Sequence, residues 1–310
     1  MFDPKDTGSL SGVGGIGPIN ILHSRIETLG STISVLVAIP LWLAYLTVAG
    51  VVWIYSIPLS LAIILFVGQY LTSWLGYQRH ELWHNYFPGI PNRRFFDLVS
   101  SLLFSDPQIY SLAHVTHHRD LHTTSDAEFF CEDYETDSRR RKRQFIFEFL
   151  LGNIAWEASA IFRTAKSKEL AWRHHGLSVA MRFLFWGLFC FLANSVYPGL
   201  GLPLAYVYIL TIWFGALVTR HDQWIEHLGI YSNDAPLAER VRMTRNLPDT
   251  HWTNRLWNLF NHNDPRSHYF HHAYPQLNLR DRRDLELPED VPRITIPEYL
   301  KALWNYYKSI

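Results

Sequence analysis

The sequence predicts an all-α integral membrane protein: four transmembrane helices in two hairpins, carrying a cytosolic helical cap. Three observations lead there. Thr28 to Gln78 is a run of 51 residues without Asp, Glu, Lys, Arg or His, and Phe183 to Thr219 is a second such run of 37. Nearly all the charge lies between and after these runs, and none of the 16 histidines lies inside them. With 310 residues, 48% hydrophobic and 15% aromatic, the chain has ample material for a core or for membrane contact. The formal net charge is zero, so nothing suggests a nucleic-acid partner. Two cysteines, Cys131 and Cys190, are too few and too far apart for a disulfide framework or a CxxC site, which fits a reducing compartment.

Residues 1–30 are small and polar, with no basic segment leading into an apolar one, so a cleaved signal peptide is not read there. Gly12, Gly14 and Gly17 have GxGxxG spacing, but a dinucleotide turn needs a strand before it and a helix after it, and neither pattern is present. The expectation is a flexible tail over 1–30, a membrane domain over 31–290 and an amphipathic C-terminal segment over 291–310.

A membrane helix needs about 20 apolar residues. The first run therefore holds two spans, about 31–55 and 58–78, with Ser56, Ile57 and Pro58 as the turn and Trp53 and Tyr55 as interfacial aromatics. The second run breaks at Tyr197, Pro198, Gly199 and Pro203 into spans of about 179–197 and 203–220. These are shorter, and they require Arg182 and Arg220 to snorkel to the interface. The rival is a single hairpin plus a buried helical pair. The turns carry no Lys or Arg, whereas the long segments include Arg139, Arg140, Arg141, Lys142 and Arg143. By the positive-inside bias that side is cytoplasmic, with the histidines and both termini on it. The basic run can meet anionic lipid heads, but it reads more simply as a solvated loop.

A random scatter would put about four or five histidines inside the charge-free runs. Instead His80 follows the first run by two residues and His221 follows the second by two, so histidines sit at or beyond the membrane surface. That differs from a transporter, whose ligands lie at the midplane. Residues three and four apart share a helix face, so His80 points with His84, His114 with His117 and His118, and His268 with His271 and His272. Each cluster alone is weak evidence, and their conjunction is strong. Eight imidazoles are too many for one ion, because structural zinc closes at four ligands and catalytic zinc takes three plus water. Two metals of higher coordination number fit better, and imidazole suits iron as well as zinc. Two adjacent irons can use dioxygen to attack an unactivated C–H bond, which no side chain does unaided. At a membrane face the substrate would be lipophilic.

The three segments His80–His84 (HELWH), His114–His118 (HVTHH) and His268–Pro275 (HYFHHAYP), interleaved with two apolar hairpins, resemble the membrane-bound fatty acid desaturase superfamily, which also holds hydroxylases and carotenoid ketolases. The resemblance covers roughly residues 30 to 290 in plan. It implies a four-helix stem and a cytosolic cap whose boxes bind two non-haem Fe ions, with O2 as co-substrate. It also implies one more histidine between the last span and the third box. His227 in QWIEHLG matches that role, making nine ligands: His80, His84, His114, His117, His118, His227, His268, His271 and His272. No catalytic side chain beyond these ligands is implied. Some members place an amide one helical turn before the extra histidine, contacting metal through water, and Gln223 stands there, although the family example carries Asn. His122, one turn after His118, is either a ligand, a partner behind a ligand, or plain surface. His221 and His262 stay open, while His23, His174, His175 and His251 read as structural or solvated.

HELWH also satisfies HExxH, the zinc protease motif. That reading leaves both HxxHH groups unused, whereas in the desaturase reading Glu81 orients a ligand imidazole from behind. A metal sensor or heme protein is a third reading, but heme takes one or two axial histidines. The expected activity is oxygen-dependent desaturation of a fatty acyl chain. The alternative is hydroxylation or ketolation of a lipophilic substrate, which needs the same ligands and differs in substrate placement. The sequence has no HPGG heme motif, no CxxC pair and no legible flavin or nicotinamide fold, so the implied electron donor is a separate ferredoxin, rubredoxin or cytochrome b5 with its reductase.

Overall fold

The computed structural model describes residues 24–310 apart from 85, 88, 130–137, 168–171, 262–264, 276, 278–281 and 283–284. The expected tail as far as residue 23, with its three glycines and His23, lies outside the described residues, as do Cys131 and His262. Among the described residues there are helices and no strand, apart from an isolated bridge between Asn246 and Arg293.

Helix α1, Ser24–Tyr55, and helix α2, Ile57–Trp83, are separated by Ser56 alone. The Ser56 hydroxyl accepts from the Leu59 backbone N–H at 3.4 Å, and a proline occupies the first turn, where its missing N–H costs nothing. A π-helical turn, Ile64–Gly68, interrupts α2. After four intervening helices, α3 (Asn92–Leu102), α4 (Pro107–Asp120), α5 (Ser138–Leu151) and α6 (Asn153–Ser167), the second hairpin follows. It consists of α7, Trp172–Val196, and α8, Gly201–His227. Four segments, Ile33–Tyr55, Ile57–Trp83, Gly176–Val196 and Gly201–His227, are long and apolar enough to cross a membrane. The two turns meet at their far end, where the Tyr55 and Tyr197 hydroxyls hydrogen-bond at 2.7 Å.

Helix α1 packs against both α2 and α8, burying Trp42, Leu46, Leu75, Leu204 and Val207. Some polar groups in this apolar stem are paired across helices, which avoids the cost of about 1–3 kcal/mol for a buried donor without a partner. Trp42 Nε1 donates to Thr72 Oγ1 at 3.0 Å, and the Tyr45 and Thr211 hydroxyls meet at 2.7 Å. Helix α7 leaves Leu177, Phe183, Leu184, Leu188 and Phe191 exposed along its length. That much apolar surface needs lipid around it, which removes the alternative of a buried helical pair.

Two expectations about charge fail. Arg220 does not snorkel: it is fully buried, donating through Nε to Glu148 Oε2 at 2.7 Å. Arg182 is buried too, 3.4 Å from Asp106. In each case an acidic partner supplied by the cap lies nearer than water, and an arginine fork bonds it well. For the same reason α8 does not stop near residue 220 but continues through Asp222 and Glu226 to His227. The basic run Arg139–Arg143 starts helix α5 instead of forming a loop. Past that run, Phe145 stacks on Trp224 at 4.8 Å and Glu148 reaches Arg220, which gives the helix its buried side. Gly152 turns the chain into α6 at φ 59°, where a Cβ would stand 2.2 Å from the Ala216 carbonyl oxygen.

Beyond α8 come α9 (Leu237–Arg242), α10 (Trp252–Phe260), α11 (His268–Ala273) and α12 (Ile296–Ser309). A capping box of Thr295 and Glu298 starts α12, whose Tyr299 and Leu303 pack with Trp224 and Ile225 beneath the end of α8.

Candidate metal centre

Four elements deliver the histidines. The end of α2 carries His80 and leaves His84 as its cap residue. Helix α4, started by Asp106 accepting from the Gln108 and Ile109 N–H groups, carries His114, His117 and His118. Helix α8 ends on His227, and the six-residue α11 carries His268, His271 and His272 on one face. Tyr274 closes α11 ahead of Pro275.

All nine histidines singled out in the sequence come together. Their nitrogens form three groups, each with its members within 4.8 Å of one another: His80, His84, His114 and His271; His117, His227, His268 and His272; and His118 with His271 and His272. The first two are quartets, and His118 stands between them. Nε2 faces Nε2 at 3.2 Å for His80 and His271, 3.1 Å for His84 and His114, 3.1 Å for His118 and His114, and 2.9 Å for His268 with both His227 and His272.

The partners of the outer nitrogens explain why the inner ones face the centre. His117 Nδ1 lies 2.9 Å from Asp126 Oδ2, and His268 Nδ1 lies 3.1 Å from Glu226 Oε1. His227 Nδ1 is 2.8 Å from His122 Nε2, while His122 Nδ1 is 2.9 Å from the Arg240 carbonyl oxygen. The carbonyl can only accept, so His122 donates to it from Nδ1 and accepts from His227 at Nε2. The proton of His227 is thereby fixed on its outer nitrogen. Burial, reinforced by neighbouring imidazoles, pushes His118, His271 and His272 well below the ordinary imidazole range, so they are neutral near pH 7. His117 goes the other way: burial opposes its charge, but the carboxylates of Asp126 and Glu128 outweigh it and raise the group to about 9. Facing neutral nitrogens can share only one proton per contact, and a metal ion would satisfy all of them. The donor set therefore suits a metal.

The remaining expected residues fall as follows. Glu81 lies 3.5 Å from the outer nitrogen of His80 and accepts from Arg282 at 3.2 Å. It faces away from the converging Nε2 atoms, so it is not placed as the base of an HExxH site. Gln223 lines a cavity beside the histidines, with its carbonyl oxygen accepting from Arg220 at 3.0 Å. His122 is in none of the three nitrogen groups and stands behind His227. His221 is outside the cluster, 2.5 Å from the Tyr299 hydroxyl, and His251 caps α10. Asp126, Glu128, Glu226 and Arg282 were not foreseen. The only sequence signal for them was position: two acids close after the second box, and one directly before His227.

A cavity of about 870 Å³ opens beside the cluster. His80, His114, His117, His268 and His271 form one end of its wall, and Phe183, Trp186, Tyr208 and Ile212 from α7 and α8 line the other.

A four-helix membrane stem under a cap of histidines that could hold metal defines a class: membrane-embedded proteins with a histidine cluster suited to metal beside an apolar cavity. The family model described as fatty acid desaturase matches residues 57–297, and the chain belongs to that family. Comparison with curated proteins and with solved structures gives no match. Membership makes the chain a membrane oxidoreductase of the desaturase and hydroxylase type, with a lipid substrate context, in a family that uses non-haem iron.

Proposed function

We propose that this protein desaturates a fatty acyl chain in an oxygen-dependent reaction, with two non-haem Fe ions held by His80, His84, His114, His117, His118, His227, His268, His271 and His272. The observation that carries the reading is the convergence of these nine imidazoles at the end of a long apolar cavity. The iron pair, when bound, supplies the oxygen and electron chemistry that side chains lack. The chain's own residues do the rest. Asp126 and His122 hold the outer protons of His117 and His227, and the Glu226 carboxylate lies against the outer nitrogen of His268, which turns the inner nitrogens toward the centre. The apolar wall holds a methylene segment near the histidines and excludes water from it. Removal of two hydrogens from adjacent carbons gives an alkene, and insertion of oxygen gives an alcohol.

The charged cap and both termini are read as cytoplasmic from the positive-inside bias, which gives access to a separate ferredoxin, rubredoxin or cytochrome b5 with its reductase. Lipid profiling by mass spectrometry after expression in a clean host tests the reaction. A new double bond supports desaturation and a new hydroxyl shifts the assignment to hydroxylase. Purified protein should hold about two irons per chain with no heme absorbance, and a single zinc per chain would overturn the reading.

A further inference from the structure

The cavity does not stay within the cap. Its wall on α7 runs through Val179, Arg182, Phe183, Trp186, Gly187 and Cys190, a stripe with spacings of three and four that marks one helix face. On α8 the wall extends from Ala205 to Glu226. Of that stretch, Ala205 to Thr219 lies in the charge-free run, and its 14 rises of 1.5 Å make about 21 Å of helix. Against the roughly 30 Å apolar thickness of a bilayer, the cavity runs alongside well over half of a membrane span before it reaches the cap. It is also open sideways. Phe183 and Ile209 belong to its wall yet are 64% and 59% exposed, and both lie in charge-free segments where the surroundings are lipid.

Side-chain volume is withheld at two points on this wall. A Cβ built on Gly187 or on Gly76 meets no atom within 4 Å. Gly187 lies in the membrane part, and Gly76 lies one helical turn before His80. Either position would take a side chain without a clash, and both belong to the cavity wall. The basic residues Arg139–Arg143, the obvious dock for a phosphorylated water-soluble carrier, contribute nothing to the wall.

We infer that the substrate enters sideways from the bilayer between α7 and α8, and that it is a lipid dissolved in the membrane, not a thioester delivered through water. This rests on the acyl-oxidation reading above. A carrier thioester must keep a large charged head in water, whereas this opening is apolar and lies within the spans.

Photo-labelling of the metal-free, full-length protein in phosphatidylcholine vesicles tests the route without depending on activity. Trp186 and Tyr208 are buried residues of the wall, so they can be labelled only by a chain that has entered. A diazirine-bearing stearic acid dissolved in the bilayer should label both, and Gly187→Trp should cut that labelling at least tenfold, with Gly187→Ala close to wild type and Gly187→Leu between them. Labelling of Trp186 and Tyr208 only by the diazirine-stearoyl-CoA form would overturn the route. So would full labelling by the bilayer probe in Gly187→Trp protein. In the iron-loaded protein with a reductant, deuterated stearoyl chains of the vesicle lipid should be converted at least tenfold faster than stearoyl-CoA, and the reverse order would overturn the substrate class. Failure to convert either chain, with labelling of Trp186 and Tyr208 intact, would instead overturn the acyl-oxidation reading and leave the lateral route supported.

Discussion

The two histidine quartets are alike in composition and differ in what stands behind them. In the quartet of His117, His227, His268 and His272, three outer nitrogens lie 2.8–3.1 Å from Asp126, His122 or Glu226. In the quartet of His80, His84, His114 and His271, contacts to carboxylate are looser. Glu81 is 3.5 Å from His80 and shared with Arg282, and Glu128 is 3.7 Å from His114. Here rings take over: Tyr86 stacks on His84 at 5.2 Å and Tyr110 on His114 at 5.4 Å. One quartet is held by hydrogen bonds and charge, the other by stacking. A carboxylate behind an imidazole makes its inner nitrogen more basic, and an aromatic face only orients it. The quartet containing His117 should therefore bind metal more tightly.

The largest effect should come from removing an imidazole. His117→Ala or His271→Ala is expected to lose metal and activity together, each emptying mainly its own quartet, while His118→Ala should weaken both. Metal analysis of the purified variants checks this, and full activity without either imidazole would refute the arrangement.

The next effect is on pH dependence and separates the quartets. At pH 7 the metal-free His117, raised to about 9, carries a proton that a metal must displace. Affinity at its quartet should rise about tenfold per pH unit between 7 and 9. His84, His114 and His271 are lowered from 6.5, chiefly by burial, and are already neutral, so their quartet should show no such slope. The folding contribution of His117 has the opposite sense. A histidine raised in the folded state adds stability in full below 6.5, and that stability is lost as the pH climbs through about 9. Anaerobic cobalt(II) titration of the metal-free protein reads the slope; equal slopes at the two quartets would end the distinction.

A smaller effect is expected from the residues behind the ligands. Asp126→Asn should weaken metal at the His117 quartet by roughly 10–100-fold and make its pH dependence shallower, because the larger of the two charges that raise His117 is gone and only Glu128 remains. Glu81→Gln, whose contact to His80 is longer, should cost less than about tenfold. If the two variants proved equal in the same titration, the carboxylate bracing would not be what distinguishes the quartets.

The stem was legible because runs such as Thr28 to Gln78 have no other use than apolar surroundings, and their length sets the number of spans. The end of α8 was not legible. Arg220, Asp222 and Glu226 read as the aqueous end of a span, and only their burial against Glu148, Trp257 and His268 keeps the helix going to His227. The three histidine boxes were legible because spacings of three and four put residues on one face whatever the helix packs against. His122 was open between three roles because its spacing from His118 repeats the ligand spacing. Helix α4 ends at Asp120, and His122 adopts φ 59°, leaving its ring outside all three nitrogen groups and behind His227.

The sequence by itself determined what is local: which segments are apolar, which helix faces carry imidazoles, and that there are more imidazoles than one ion needs. Tertiary structure alone decided which nitrogen of His227 and His268 faces inward, because that is set by partners remote in the chain. Glu226 on α8 answers His268 on α11, and the Arg240 carbonyl fixes His122, which in turn fixes His227. It also decided that the cavity beside the histidines continues between α7 and α8, since a gap between two helices belongs to neither sequence alone.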